Sequence, residues 1–263
     1  MKRFSGLIYT FPLGLSFTVL LVHELMTKIR KEVPTIELLP KEFSLFDAFI
    51  FLLLTVISSI VILMIFKKSI LLLKLILLFS ALFLIFTSYL LLLSIIMELV
   101  LALITVSLLV TLALLALIYQ KFEVYSSILF VAMVIVGCIL NFSLPSLTKF
   151  LLLAVYSLFD LYSVQKGFLK TIIGQISKLY IFSPLMIRVD SISIGVGDIV
   201  FFSLISSFSL DYGLVAFFIV TVCLVVGFLV NLWLLDRKRV IPGLPIPILL
   251  SLSCLFTYSL IFS

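Results

Sequence analysis

The chain is a succession of apolar segments, each about twenty residues long and each ended by a charge, a proline or a turn residue. A hydrocarbon layer ~30 Å thick is crossed by about 20 residues rising 1.5 Å apiece, so these segments are long enough to span it. Dividing the 263 residues at the breaks gives nine: 6–26, 45–66, 75–96, 99–119, 125–144, 147–164, 189–209, 212–235 and 244–262. Only Met97 and Glu98 separate the third from the fourth. Backbone in lipid must satisfy its own polar groups, and no barrel-type alternation of polar and apolar residues is present. The expected fold is therefore an all-α polytopic membrane protein of nine transmembrane helices.

Composition agrees. The chain is 64% hydrophobic and 11% charged, with a mean hydropathy of +1.46. A soluble domain could not cover its surface with so few polar side chains. The net charge of +6 does not indicate nucleic acid, because the 18 lysines and arginines sit in short clusters between apolar segments. Placing the N-terminus in the cytoplasm puts thirteen of them on the cytoplasmic side, among them Lys2, Arg3, Lys67, Lys68, Lys166 and Arg237–Arg239, and five outside. That is the positive-inside bias, and it puts the C-terminus on the extracytoplasmic side. Met1-Lys2-Arg3 before an apolar run resembles a signal peptide, but the run is long enough to span and no small-residue cleavage site follows, so it reads as a retained first helix.

Few residues offer chemistry. Cys138, Cys223 and Cys254 lack metal or redox spacing and read as small packing residues. His23, the single histidine, reads as an interfacial residue beside Glu24. No metal site and no cofactor is expected. Of the loops, 27–44 is charged and mixed in sign. The connection 165–188 is the longest on the cytoplasmic side and contains the β-prone stretch Leu179-Tyr180-Ile181-Phe182, read either as an interfacial segment or as a gating element.

Two of the twelve acidic residues stand apart. Asp160 lies thirteen residues into the sixth span and Asp198 nine residues into the seventh. An aspartate near a helix centre costs ~2.5–3.5 kcal/mol to insert, which marks it as functional by default. The two spans run antiparallel, so both carboxyls fall in the cytoplasmic half, facing one another. Two carboxyls close together in low dielectric share a proton and titrate as a pair. One acid and one carboxylate are what aspartic proteolysis needs: the carboxylate takes a proton from water while the acid polarises the scissile carbonyl.

The local context is specific. Asp160 lies in Tyr156-Ser157-Leu158-Phe159-Asp160, Asp198 in Gly195-Val196-Gly197-Asp198, and the last span opens Pro242-Gly243-Leu244-Pro245. In this order and on these spans they resemble the YD, GxGD and PAL motifs of the presenilin and signal peptide peptidase family of intramembrane aspartic proteases. The compact length resembles microbial members. The resemblance implies nine helices, catalytic roles for Asp160 and Asp198, substrate contacts at Gly195, Gly197, Pro242, Gly243, Leu244 and Pro245, and substrates that are transmembrane segments or signal peptides. It divides the chain into a scaffold, residues 1–144, and a catalytic part, 145–263. Phe159 replaces the family tyrosine, whose hydroxyl Tyr156 is placed to supply from one turn back, and Gly243 replaces the alanine.

Independently of the family, Gly195 and Gly197 would let the seventh helix approach its neighbour closely. Pro242, Pro245 and Pro247 would fray the start of the ninth, leaving backbone groups for an extended substrate to pair with. Two other readings compete. A proton- or cation-coupled transporter also uses intramembrane aspartates and broken helices, but it predicts an inverted repeat, whereas here these features concentrate after residue 156. A prepilin-type peptidase shares GxGD, but it usually carries a lysine soon after, where this chain has Ile199-Val200-Phe201-Phe202.

Overall fold

A computed structural model describes residues 6–32, 70–165, 184–189, 192–237 and 242–262. Eight helices lie among them: α1 (Gly6–Glu32), α2 (Ile70–Ile96), α3 (Leu99–Ile118), α4 (Phe122–Ser143), α5 (Ser146–Gln165), α6 (Val196–Leu210), α7 (Leu214–Arg237) and α8 (Pro245–Phe262). They correspond to eight of the nine expected spans. The second, 45–66, lies outside the described residues, as does the Leu179–Phe182 part of the long connection.

The helix ends follow local chemistry. Glu98 adopts an extended conformation (φ −55°, ψ 142°) and divides α2 from α3. Behind α3 the chain reverses within three residues. Gln120 takes the left-handed conformation at φ 57°, Lys121 N–H donates to the Ala116 carbonyl at 2.8 Å, and Gln120 N–H to that of Leu117 at 3.2 Å. This is the Schellman arrangement that satisfies the last carbonyls of a helix. Gly213, at φ 103°, makes the equally tight turn between α6 and α7.

Among the described residues, five helices contain a stretch long and apolar enough to cross a membrane: Thr10–Lys28, Leu75–Ser94, Val100–Ile118, Phe122–Ser143 and Leu214–Leu235. Their outward faces carry large exposed apolar side chains such as Phe79, Phe83, Leu108, Val222 and Phe218. Contiguous apolar surface on this scale is what lipid as solvent produces, and the protein is a multi-pass integral membrane protein.

The core is built around α6. Ile199, Leu204, Ile205 and Phe208 of this helix are wholly or almost wholly buried, and α1, α4, α5, α7 and α8 all pack on it. Its tightest neighbour is α4. A Cβ on Gly137 would lie 2.5 Å from Ser203 Cβ and 2.7 Å from the Val200 carbonyl oxygen, so only glycine fits there. A second close contact joins α7 to α8, where a Cβ on Gly227 would lie 2.4 Å from Pro247 Cα.

Two expectations need correcting. The seventh span was expected to be helical from residue 189. Instead β1 (Met186–Val189) and β2 (Ile192–Gly195) form an antiparallel hairpin, with Ile187 opposite Ile194, and the helix starts at Val196. The alternation Ile192-Ser193-Ile194 is the period-2 signal of a strand, buried on one side at Ile194 and exposed on the other at Ser193. His23 is not interfacial but 7% exposed, its Nδ1 2.8 Å from Ser207 Oγ. Lys149, one of the five basic residues counted on the outside, lies within α5 as the span 147–164 implied, but its side chain is packed among other helices. The residue is 4% exposed, and its Nζ donates to Asp211 Oδ2 at 3.1 Å.

Candidate active site

The turn that enters α8 brings the two aspartates together. Pro245 and Pro247 occupy the first and third positions of this helix, where an N–H would find no intrahelical acceptor and a proline loses nothing. The chain before them, Pro242-Gly243-Leu244, packs between α5, α6 and α7. Leu244 N–H donates to Asp160 Oδ2 at 3.1 Å, and the Gly243 amide also bonds to the Asp160 carboxyl. The turn also meets Asp198. A Cβ on Gly243 would lie 2.4 Å from Asp198 Oδ2, 2.8 Å from Cγ and 3.0 Å from Oδ1. Both carboxyls thus meet the peptide unit joining Gly243 to Leu244. Standard backbone dimensions then limit their separation to roughly 9 Å, and Asp160 is near enough for its charge to act on Asp198.

Each aspartate is held by its own element. Asp160 lies on α5 one turn after Tyr156, whose ring tilts against Phe201 of α6 with centroids 4.9 Å apart. Asp198 is not near the middle of a span, as the sequence suggested, but third in α6, because the hairpin takes up the start of the expected span and the helix begins only at Val196. From that position its carboxyl reaches back to the Gly195 N–H. This is the acidic arm of a capping box, and it ties Asp198 to the strand–helix junction. Gly195 is the N-cap in an extended conformation (φ −68°, ψ 143°).

The six expected substrate-contact residues divide. Gly243, Leu244 and Pro242 form the turn beside the aspartates, and Pro245 begins the helix behind it. Gly195 adjoins Asp198, 3.6 Å from its Oδ2 as judged from an added Cβ. Gly197 is exposed, with open space where its Cβ would be. Neither GxGD glycine lies under a neighbouring helix. Gly195 ends a strand and Gly197 faces outward in the first turn, so the close approach expected of them belongs instead to Gly137, Gly227 and Gly243. The backbone groups expected to stay free after the prolines are also engaged: Leu244 N–H by Asp160, and the Gly243 carbonyl by Asn231 Nδ2 of α7 at 2.7 Å. Sequence reading passed over Asn231, although an amide side chain in an otherwise apolar span is a signal of the same kind as a buried aspartate.

A second polar cluster lies at the other end of α6. Asp211 accepts from Lys149 Nζ and, at 3.3 Å, from Asn141 Nδ2. One turn deeper are Ser207, His23 and Cys138. Lys149 Nζ also lies 4.6 Å from the centre of the Phe208 ring. Every one of these groups joins helices to one another, and the described residues contain no group of three or more metal-ligating side chains.

No protein-family model matches the sequence, and no curated protein matches it. The fold, by contrast, has close counterparts among solved structures. Two structures of a presenilin family intramembrane aspartate protease, in P2 and C222 space groups, superpose over 95% of this chain. The first covers 97% of its own length with a TM-score of 0.60 at 17% identity. The second covers 99% of its length with a TM-score of 0.64 at 15% identity. The chain has the fold of these presenilin-family proteases.

Proposed function

We propose that this chain is an intramembrane aspartic endopeptidase that hydrolyses peptide bonds within transmembrane segments or signal peptides of other proteins. One observation carries the reading: Asp160 and Asp198, from different helices, converge on the Gly243–Leu244 peptide in a fold shared with presenilin-family aspartate proteases. Asp160 and Asp198 are the shared-proton pair. The ionised member takes a proton from water as the oxygen attacks the scissile carbonyl carbon. The neutral member donates to the carbonyl oxygen, giving a tetrahedral diol. Return of a proton to the amide nitrogen then breaks the C–N bond, so the reaction consumes one water and requires no metal or cofactor.

Gly195, Gly197 and the Pro242–Pro245 turn are the substrate-binding groups in this reading. The hairpin supports them: β2 pairs with β1 on one side and runs directly into the helix bearing Asp198. An extended substrate adding to the two-stranded sheet would be drawn out beside that carboxyl, with its peptide bonds unwound from helix. The exposed, side-chain-free Gly197 leaves room for it. The topology in this proposal is nine helices with the N-terminus cytoplasmic and the C-terminus outside, in the plasma membrane if the cell is prokaryotic.

The test is cleavage of a purified single-span reporter in detergent by the wild type, Asp160→Asn and Asp198→Asn. Cleavage by the wild type alone, with a bell-shaped dependence on pH, is the expected result. Full cleavage by either variant would dispose of the dyad, and carboxylate-dependent solute uptake into proteoliposomes without cleavage would make the chain a transporter.

A further inference from the structure

Among the described residues, one side-chain bond from outside the dyad holds the turn between the aspartates. Asn231 is the one amide side chain in α7. It is 6% exposed, and its Nδ2 donates to the Gly243 carbonyl at 2.7 Å. Its own Oδ1 has no hydrogen-bond partner among the described residues, so this donation is the polar contact that fixes the side chain. The packing beneath makes the contact possible. Gly227 stands one helical turn before Asn231 on the same face of α7, and its missing side chain lets the backbone of Pro247 settle against the helix. That close approach brings the turn, four residues earlier in the chain, within reach of the amide.

The consequence reaches both carboxyls. The Gly243 carbonyl and the Leu244 N–H belong to the same rigid peptide plane. Fixing the carbonyl on Asn231 therefore aims the N–H at Asp160 Oδ2 and holds Gly243 Cα against Asp198. We infer that Asn231 is a positioning residue: it orients the Gly243–Leu244 peptide, and through it the spacing of Asp160 and Asp198. The inference rests on the proteolytic reading of the aspartates, but the hydrogen bond it invokes can be tested separately.

The experiment uses the full chain in detergent with Asn231→Leu, which removes the donor at similar volume, and Asn231→Asp, which restores a donor only when its carboxyl is protonated. Two quantities are read: kcat and KM for the single-span reporter across pH, and hydrogen exchange at the Leu244 amide by mass spectrometry. Asn231→Leu is expected to lower kcat by about 100-fold, with KM changed less than about threefold, because displacement near 1 Å in a catalytic constellation costs that much. It should also speed exchange at Leu244. Asn231→Asp should recover towards wild-type kcat as pH falls, a limb absent from Asn231→Leu.

If the wild type cleaves and Asn231→Leu leaves kcat and exchange unchanged, the positioning role is overturned while the protease stands. Loss of kcat without faster exchange, or without recovery of Asn231→Asp in acid, overturns it equally and reduces Asn231 to a packing residue. If the wild type cleaves nothing yet exchange follows the pattern above, the positioning survives and the proteolytic reading falls.

Discussion

Installing alanine at position 243 gives this chain the residue that the PAL motif of the presenilin and signal peptide peptidase family carries, so similarity alone predicts no harm. The structure predicts the opposite. The added methyl carbon would lie 2.4 Å from Asp198 Oδ2, a full ångström inside the 3.4 Å at which ordinary contact begins. Its distances to Cγ and Oδ1, 2.8 and 3.0 Å, leave no side on which the carboxyl could accept it unmoved. Either the turn retreats, stretching the 3.1 Å bond from Leu244 N–H to Asp160, or the Asp198 side chain rotates off its capping contact with Gly195. Overpacking of this kind costs about 1–3 kcal/mol of stability. Misplacing one catalytic carboxyl by ~1 Å costs on the order of 100-fold in rate, or about 2.7 kcal/mol of barrier.

Gly243→Ala is therefore expected to cleave a single-span reporter with kcat lowered about 100-fold, by the magnitude of such misplacements, while remaining folded in detergent. Gly243→Ser should be no better. The assay is steady-state cleavage followed on gels, with a thermal melt of each variant alongside. An alanine variant with wild-type kcat and an unchanged melt would refute the contact between Gly243 and Asp198 from which the figures come.

Three further outcomes follow from contacts elsewhere in the fold. Gly227→Leu drives a side chain into the backbone of Pro247, and a fall in melting temperature with loss of cleavage is expected, the stability cost being at least the ~1–3 kcal/mol of ordinary overpacking. In the Lys149–Asp211 pair the lysine side chain is 6% exposed and the aspartate side chain 37%. Asp211→Leu, which leaves the buried ammonium without its carboxylate, should therefore lower the melt more than Lys149→Met, with a ceiling of about 3–5 kcal/mol; equal melts would contradict the burial. Tyr125→Phe removes the 2.5 Å bond from the Tyr125 hydroxyl to the Pro184 carbonyl just before the hairpin. A loss of about 0.5–1.5 kcal/mol, detected in chemical denaturation, is expected, along with a raised KM if β1 and β2 receive substrate.

The long apolar runs made the helices legible because nothing but lipid demands such runs, and Asp160 was legible because a charge inside one is costly. What escaped was set by contacts between segments distant in sequence. The strands of the hairpin are as apolar as the helix they precede, so hydropathy merged residues 189–195 into a span, and only the alternation at Ile192–Ile194 told against it. Glycine spacing pointed to Gly195 and Gly197, yet whether a glycine admits a neighbour depends on which helix lies over it, and that is fixed by tertiary packing. Lys149 and His23 sat near helix ends where solvent was the natural assumption. Their partners, Asp211 and Ser207, are 62 and 184 residues away. Asn231 was visible but had no partner in sequence to give it meaning.

The bond from Leu244 N–H to Asp160 means that the proposed active site, at rest, is already occupied by the protein itself. A lone pair that a bound peptide or inhibitor would seek is held by an intramolecular donor, whose effective concentration is set by a short, proline-stiffened tether rather than by bulk solution. A ligand reaching for Asp160 must first displace a competitor that never diffuses away. Compounds that supply an N–H where Leu244 now supplies one would bind only by opening the turn, whereas those that engage Asp198 and leave the turn closed would avoid that competition.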